Sequence, residues 1–244
     1  MGARIVMVAS GKGGTGKSTV SVLLGGRLAA HGKRVLLIEL DSGLRSVDII
    51  SGVYGKTVYD IEDVLSGRCE GDKAVVQSPL YPGLSVISAP YEGGVVETAD
   101  LQRLCRAMAD VFDFILLDTA AGMGAPFKAA AACAGQCLLV LPPDPVSLRD
   151  GRIVSDALYE QGLREIRLVV NRLAPHTFKN GAVRDLDECI DTVCAQLIAV
   201  IPESAELQRA AAAGSALPVD CAAFEAFDRL ARRLLGQRVG LLVR

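Results

Sequence analysis

The sequence predicts a doubly wound α/β fold, in which a mostly parallel sheet carries helices on both faces. Short runs rich in leucine and β-branched residues alternate with longer helical patterns along the whole chain, which is typical of such a sheet. The 244 residues, 50% of them hydrophobic, can bury a sizeable core, and no repeat or low-complexity linker divides them. We expect one domain over residues 1–236, followed by a short basic and apolar tail over residues 237–244.

Each predicted strand is a short, continuously apolar run, the pattern of a strand that is buried on both faces. In chain order these runs cover residues 4–9, 34–40, 84–88, 114–118, 137–142, 166–171 and 197–202. Informative residues lie at or directly after the ends of these strands, namely the loop 10–17, Asp41, Asp118, Asn171 and Pro202. Because ligands of open α/β sheets bind at the carboxyl ends of the strands, we expect these residues to form one site.

Six helical patterns occupy the segments between and after these runs. They cover residues 17–31, 97–112, 147–162, 185–196, 204–213 and 222–236. In the last of them, Phe224, Phe227, Leu230 and Leu234 recur at helical spacing, which predicts a face docked on the core.

Charge and composition argue against several classes of protein. The formal net charge is −2 and no block of five or six like charges occurs, so we expect no specific nucleic-acid partner. The chain shows no signal peptide and no apolar run of about 20 residues, the length that a membrane span requires. We therefore expect a cytoplasmic protein.

The cysteines and histidines give no sign of a metal centre or a catalytic triad. The seven cysteines include no C-x-x-C pair, so we expect thiols that behave as small hydrophobes in a reducing compartment. Cys133 and Cys137 come closest to a ligand pair, but the stretch AAAACAGQCLLV indicates a helix end that runs into a core strand. His31 and His176 are too few and too scattered for a triad.

A glycine-rich loop follows the first predicted strand. Residues 10–19 read SGKGGTGKST and meet the pattern G-x-x-x-x-G-K-[ST]. In this pattern backbone N–H groups wrap the phosphates, the lysine reaches the β- and γ-phosphates, and the hydroxyl ligates Mg²⁺. The residues expected to bind a nucleoside triphosphate are Gly11, Gly13, Gly14, Thr15, Gly16, Lys17, Ser18 and Thr19.

The same loop also fits the weaker pattern G-x-G-x-x-G of a dinucleotide-binding oxidoreductase. Glu39 or Asp41 would then be the acid that binds the ribose, about 20 residues further on. The discriminating residues are Lys17, Ser18 and Thr19, because a pyrophosphate crossing needs neither a lysine nor a metal-binding hydroxyl. They favour a triphosphate, and the oxidoreductase stays as a remote alternative.

The metal ion and the attacking water both require carboxylates near this loop. Asp118 ends the run FILLD, and we expect it to act on Mg²⁺ directly or through a water molecule. Asp41 is a candidate to orient the attacking water near the γ-phosphate, where it would also lie close to the metal. The stretch from Asn171 to Ala174 lacks the acid of the guanine-binding N-K-x-D motif, so adenine is favoured over guanine.

The stretch KGGTGKST over residues 12–19 resembles the deviant Walker A motif of the MinD/ParA class of phosphate-loop ATPases. The additional early lysine, here Lys12, defines that class. The resemblance implies a homodimer in which two subunits sandwich two ATP molecules and Lys12 reaches the nucleotide of the other subunit. Catalysis would then depend on dimerisation, as it does with an arginine finger supplied in trans.

Within this class the resemblance is strongest to the MinD family of septum-site-determining ATPases and extends over nearly the whole chain. The matching segments are DSGLRSVD (41–48), VYDIEDVLSG (58–67), LLDTAAG (116–122), VSLRDGRIV (146–154), VVNRL (169–173) and LIAVIPESAEL (197–207). The resemblance implies slow Mg²⁺-dependent ATP hydrolysis that serves division-site placement and is accelerated by a MinE-like partner, with a MinC-like regulator as a second partner. Flagellar-number and DNA-partition ATPases of the same class remain alternatives.

Several residue roles come with this resemblance. Asn171 would contact adenine, its neighbour Arg172 would belong to the nucleotide site, and the loop of Pro202 and Glu203 would flank the base through its backbone. Asp41 would position the hydrolytic water.

Further along the chain, Arg149 and Asp150 would lie on the helix surface that the family uses near its dimer and MinE contacts. The family usually has Asp in place of Glu39, where it has a role linked to Mg²⁺. It usually has Asn in place of Ser46 and an acidic residue in place of Ser204.

The family usually ends in a linker and a short amphipathic helix that attaches the ATP-bound dimer to anionic lipid on the inner face of the cell membrane. Here the end of the chain combines arginines with an apolar tip, but Gly236 and Gly240 weaken any helix. The residues concerned are Arg229, Arg232, Arg233, Arg238, Val239, Leu241, Leu242, Val243 and Arg244. We expect weak membrane attachment that needs two copies in a dimer.

Overall fold

The structure is a computed structural model that describes residues 2–43, 45–93 and 96–242. Its strands, in chain order, are β1 Arg4–Ala9, β2 Val35–Glu39, β3 Val76–Gln77, β4 Leu84–Ile87, β5 Phe114–Asp118, β6 Gln136–Leu141, β7 Ile166–Leu173 and β8 Gln196–Pro202. They form one sheet with the order β3-β4-β2-β5-β1-β6-β7-β8. Every neighbouring pair is parallel except β3 with β4, which confirms the predicted doubly wound, mostly parallel sheet.

Helices cover both faces of this sheet. They are α1 Lys17–Ala30, α2 Ser46–Ser51, α3 Ile61–Leu65, α4 Thr98–Met108, α5 Ala125–Cys133, α6 Pro145–Glu160, α7 Leu186–Val193, α8 Ala205–Ala213 and α9 Ala222–Leu234. Two short 3₁₀ helices lie at Gly71–Ala74 and Thr177–Asn180.

All seven predicted strands and all six predicted helices occur, with ends that differ by a few residues. Helix α6 begins two residues earlier than predicted, because Asp144 caps it and Pro145 occupies its first position. The predicted helix 185–196 ends at Val193 because Gln196 already belongs to β8. Strand β3 and helices α2 and α3 were missed, since two to six residues are too few to show a period. Helix α5 was not among the predicted helices either, although the stretch AAAAC indicated its end.

Two apolar cores lie on opposite faces of the sheet because successive strand residues point to opposite sides. On one face Leu37 and Leu116 pack with α1 and α9, and on the other Ile38 and Leu117 pack with helices that include α5 and α6. The pattern continues to the strand ends: Glu39 and Asp118, which pair across β2 and β5, follow Leu37 and Leu116 by two residues. Both carboxyl groups are thereby directed to the face that carries α1.

Strand β7 contains an irregularity that shapes the site. The pairing with β8 shifts between Val170 and Leu173, which are opposite Val200 and Pro202, so β7 carries one extra residue there. Arg172 lies in this bulge with a positive φ of 58°, a conformation that few non-glycine residues adopt.

The tail beyond α9 is not helical in the part that the structure describes, and Val243 and Arg244 lie outside it. Arg229 donates to the carbonyl of Gly240 at 3.1 Å, and Arg233 donates to that of Val239 at 2.7 Å. Both arginines belong to α9, so the tail is held against its own helix. Nowhere in residues 2–43, 45–93 and 96–242 is there a helix with the length and apolar character needed to cross a membrane.

Candidate nucleotide-binding and catalytic site

The glycine-rich loop joins β1 to α1 at the carboxyl edge of the sheet. Gly14 and Gly16 have φ values of 75° and 94°, and α1 begins directly after Gly16. A Cβ atom on Gly13 or Gly14 would meet no atom within 4 Å, so the backbone there is open to a ligand. A Cβ on Gly16 would lie 2.4 Å from the Asn171 side-chain nitrogen, so glycine is required there both for its φ and for space.

Asp118 lies at the end of β5 and is fully buried against the start of α1. Its two carboxylate oxygens accept hydrogen bonds of 2.7 Å from the hydroxyls of Ser18 and Ser21. Burial raises the pKa of Asp118 to about 6, while the two hydroxyls and the charge of Lys17 act in the opposite direction. The carboxylate is therefore mostly ionised at neutral pH and holds Ser18 at the position where a metal-binding hydroxyl is expected.

Ser21 was not predicted as a site residue, although its spacing from Ser18 could have indicated it. It stands three residues after Ser18, so both hydroxyls lie on the same side of α1.

Lys17 and Asp41 lie close together beside Asp118. Lys17 is only 6% exposed. Burial raises the pKa of the half-buried Asp41, and the nearby charge of Lys17 offsets part of this rise. The backbone N–H of Leu40 donates to the carbonyl of Asp118 at 2.8 Å, which fixes the loop after β2 against the end of β5. The structure thus brings together the lysine and the two carboxylates that the sequence pointed to.

Glu39 is buried next to Asp118 but is bound by backbone groups. Its carboxyl oxygens accept hydrogen bonds from the N–H groups of Val47 at 3.2 Å and Ala89 at 3.3 Å. Burial, reinforced by the charge of Asp118, raises the pKa of Glu39 to about 8. Glu39 ties α2 and the end of β4 to the site, and its direct role toward a metal stays a prediction.

A cavity of about 280 Å³ opens beside the loop. The predicted base-binding residues Asn171, Arg172, Pro202 and Glu203 line it together with Gly16, Thr19 and residues of α8. Asn171 donates its side-chain N–H to the carbonyl of Thr15 at 2.8 Å. Its buried Oδ1 atom has no hydrogen-bond partner among the described residues, so an acceptor is available beside the cavity.

Lys12 projects from the same loop and interacts with α6. Its ammonium lies 3.8 Å from a carboxylate oxygen of Asp144, in a pair whose side chains are about 40% exposed. The ion pair could not be predicted from the sequence, because no local pattern relates the cap residue of α6 to the loop after β1.

The loop also touches α6 through Gly11. A Cβ on Gly11 would lie 2.7 Å from the Cβ of Asp150 and 2.9 Å from its carbonyl carbon. Asp150 forms an ion pair of 3.0 Å with the exposed Arg149 on the outer surface of α6. The two residues that the resemblance placed near a dimer contact are therefore adjacent to the phosphate loop.

Comparisons with known proteins agree on one family. Residues 6–217 match the model of the CobQ/CobB/MinD/ParA nucleotide binding domain. The septum site-determining protein MinD of Bacillus subtilis is 33% identical over 244 residues, which cover 98% of this chain and 91% of that protein. MinD of Synechocystis is likewise 33% identical over 98% of this chain and 92% of its own length.

Solved structures agree with this. A MinC:MinD cell division protein complex from Aquifex aeolicus contains a chain that matches with a TM-score of 0.91 and 33% identity over 99% of both chains. A ParA family ATPase from Chlorobium tepidum matches with a TM-score of 0.81 at 19% identity over 93% of this chain and 98% of its own, which shows the shared fold alone. With its phosphate loop, its early lysine and these relatives, the chain belongs to the MinD family within the MinD/ParA class of nucleotide-binding proteins.

Proposed function

We propose that this chain is a Mg²⁺-dependent ATPase of the MinD type, whose ATP-bound dimer takes part in placing the division septum. The observation that carries the ATPase proposal is the buried carboxylate of Asp118, which accepts hydrogen bonds from Ser18 and Ser21 at the start of the helix after the phosphate loop. Membership of the MinD family supports the role in division.

The residues present fit a triphosphate with Mg²⁺. This ion prefers oxygen ligands and usually combines one or two carboxylates with phosphate oxygens and water. Ser18 and Asp118 supply such oxygens, and the described residues contain no group of three or more His, Cys, Asp or Glu that would form a complete cage. When bound, the ion would neutralise charge on the phosphates.

The chemistry assigned to this chain's own side chains follows from their positions. Lys17 would bind the β- and γ-phosphates, and its burial strengthens that interaction because little water screens the charge. Asp41, beside Lys17, would accept a hydrogen bond from the attacking water and direct its oxygen at the γ-phosphorus. The bond to the leaving ADP oxygen then breaks, and phosphate is released.

The cavity lined by Asn171, Arg172 and Pro202 would hold the nucleoside part of the ligand. Adenine is proposed as the base because the stretch from Asn171 to Ala174, at the end of β7, lacks the acid of the guanine-binding motif.

Lys12 of one subunit would act on the nucleotide that is bound by the other subunit of the dimer. In the single chain it pairs with Asp144, and that pair is exposed enough to separate at little cost, since such surface pairs contribute about 0–1 kcal/mol. In the dimer, the Lys12 side chain would move to the partner's nucleotide and place its positive charge beside the transferring phosphate. This charge would be supplied only after two subunits have met.

The MinC:MinD complex of Aquifex aeolicus supports a MinC-like partner for this chain. A MinE-like activator is proposed from the resemblance alone, with the surface of α6 around Arg149 as its contact. The cytoplasm, with peripheral attachment to the inner face of the cell membrane, is the proposed location.

Asp118→Asn tests the proposed function. We expect it to lower Mg²⁺-dependent ATP hydrolysis by at least about 100-fold, because the amide lacks the negative charge that supports the metal, and its NH₂ group cannot accept the hydrogen bond from Ser18 or Ser21. The control is Asp113→Asn directly before the start of the same strand, where the carboxylate pairs with the exposed Arg34. Phosphate release with ATP or GTP, with and without Mg²⁺, measures the effect, and septum positions are scored in cells that carry each variant.

Parental hydrolysis by Asp118→Asn would contradict the metal site. Normal septum placement in cells that lack the protein altogether would contradict the division role while leaving the ATPase proposal intact.

Deletion of residues 237–244 is expected to abolish weak binding to anionic vesicles that requires Mg-ATP. One copy of this short segment should bind poorly, because each arginine near an anionic surface contributes only about 1 kcal/mol. Two copies in an ATP dimer would bind together through avidity. Co-sedimentation with vesicles measures the binding, and neutral phosphatidylcholine vesicles are the control.

Arg229 and Arg233 hold the described part of the tail against α9, so the tail must detach or contact the lipid where it lies. Binding that is absent with ATP, or unchanged by the deletion, would show that the tail is no membrane anchor.

A further inference from the structure

Two thiols face each other across helices α4 and α5, away from the nucleotide site. Cys105 of α4 is buried, Cys133 at the end of α5 is partly exposed, and both pack in the same apolar cluster on one face of the sheet. Neither residue belongs to the site described above. All seven cysteines of the chain are unpaired thiols in the structure.

The two helices are fixed to each other beside these thiols. Gln102, one turn before Cys105, donates its side-chain N–H to the carbonyl of Ala132 at 3.2 Å, and Ala132 directly precedes Cys133. The apolar cluster on this face of the sheet includes Leu101, Leu104 and Phe127 from the same two helices. Cys105 and Cys133 therefore lie one turn and one residue away from a direct contact between the two packed helices.

This thiol pair lies at the edge of the sheet opposite the phosphate loop. Gly135, two residues after Cys133, donates its backbone N–H to the carbonyl of Ile5 near the start of β1. The phosphate loop instead follows the end of β1 at Ala9. A covalent change at the pair would therefore leave the nucleotide site in place.

The two thiols have different chemical character. The neighbouring Cys105 thiol and the charge of the Arg106 guanidinium lower the pKa of Cys133, while burial acts in the opposite direction. The Cys133 thiol and burial raise the pKa of Cys105. Cys133 is thus the more accessible thiol with more thiolate character, and Cys105 is the buried thiol of the pair.

We propose that Cys133 and Cys105 form an oxidant-responsive pair that closes to a disulfide between α4 and α5 when the protein meets a peroxide. The Cys133 thiolate attacks one peroxide oxygen, the O–O bond breaks, and hydroxide leaves, so that Cys133 becomes a sulfenic acid. The Cys105 sulfur then attacks the Cys133 sulfur, the S–O bond breaks, and water leaves with the thiol proton. The two cysteines are oxidised and one peroxide is reduced to water.

The consequence is a covalent link that closes the loop of chain between the two helices. Because such a link restricts the unfolded chain, the oxidised protein is expected to melt at a temperature at least about 5 °C higher than the reduced protein.

The full-length protein is treated with a small molar excess of hydrogen peroxide, quenched with N-ethylmaleimide and digested without reductant. Mass spectrometry is expected to find the peptides of Cys105 and Cys133 joined, with the mass of two hydrogens lost. Cys133→Ala should abolish the joined peptide and the rise in melting temperature. Cys194→Ala, which removes an exposed cysteine elsewhere, should change neither.

The measurement on the unaltered protein keeps the proposal testable even if a variant folds poorly. Full alkylation of both cysteines after peroxide would overturn the proposal, as would over-oxidation of Cys133 to a sulfinic acid without any joined peptide. Joined peptides that connect Cys133 to a cysteine other than Cys105 would overturn it as well.

Discussion

Lys12→Ala is expected to bind ATP with near-parental affinity and yet lose at least about 100-fold of its hydrolysis rate. The variant keeps Lys17, Ser18 and the open backbone at Gly13 and Gly14, which together hold the phosphates. It loses the cation that we propose to act on the nucleotide of a second subunit, and a cation supplied in trans contributes about 10³–10⁵-fold to rates in comparable enzymes.

Lys17→Ala should behave differently, because it removes a buried charge from the phosphate site itself. We expect it to lose both ATP binding and hydrolysis. Lys56→Ala, an exposed lysine in a loop, is the control for loss of a positive charge. Equilibrium binding of ATP and phosphate release separate the two lysines, and sedimentation in Mg-ATP reports dimerisation. Parental turnover and dimerisation by Lys12→Ala would exclude a role in trans.

Asp41→Ala is expected to trap the ATP-bound dimer. The change removes the carboxylate that would orient the attacking water but leaves Lys17, Ser18 and Asp118 in place. We expect hydrolysis to fall by about 100-fold, since general base and positioning contributions have that size. Dimers should then persist in sedimentation with Mg-ATP, whereas the parent returns to monomer as ATP is consumed.

The control is Asp72→Ala, which removes an exposed carboxylate far along the chain from the site. An Asp41→Ala protein that hydrolyses ATP at the parental rate would exclude this residue as the water-orienting group. Loss of ATP binding would instead assign Asp41 to the nucleotide or metal site.

The sequence was sufficient for the fold and for most of the site because the relevant signals are local. Continuous apolar runs such as FILLD identify buried strands, and the residue that ends each run must lie at the carboxyl edge of a parallel sheet. The sequence alone therefore places Asp41 and Asp118 beside the loop.

Other features of the site depend on contacts between distant segments and could not be predicted. The pairing of Lys12 with Asp144 and the contact of Gly11 with Asp150 arise only when α6 packs beside the loop. The hydrogen bonds that Glu39 accepts from Val47 and Ala89 could not be predicted, because they depend on where α2 lies. Helix α2 is too short to show a helical period. The thiol pair of α4 and α5 joins residues 28 positions apart that no motif relates.

The absence of a side chain at Gly11 has a consequence for regulation. Because backbone and Cβ atoms of Asp150 fill the space where a Cβ would be, the phosphate loop cannot move toward α6 at this point without displacing the helix. Such a movement of the loop would also displace the outer surface of α6, which exposes Val146, Arg149 and Ile153. A protein that binds α6 in only one position of the loop would then be coupled to the nucleotide. Thermodynamic reciprocity requires that this protein and the nucleotide change each other's binding affinity by the same factor.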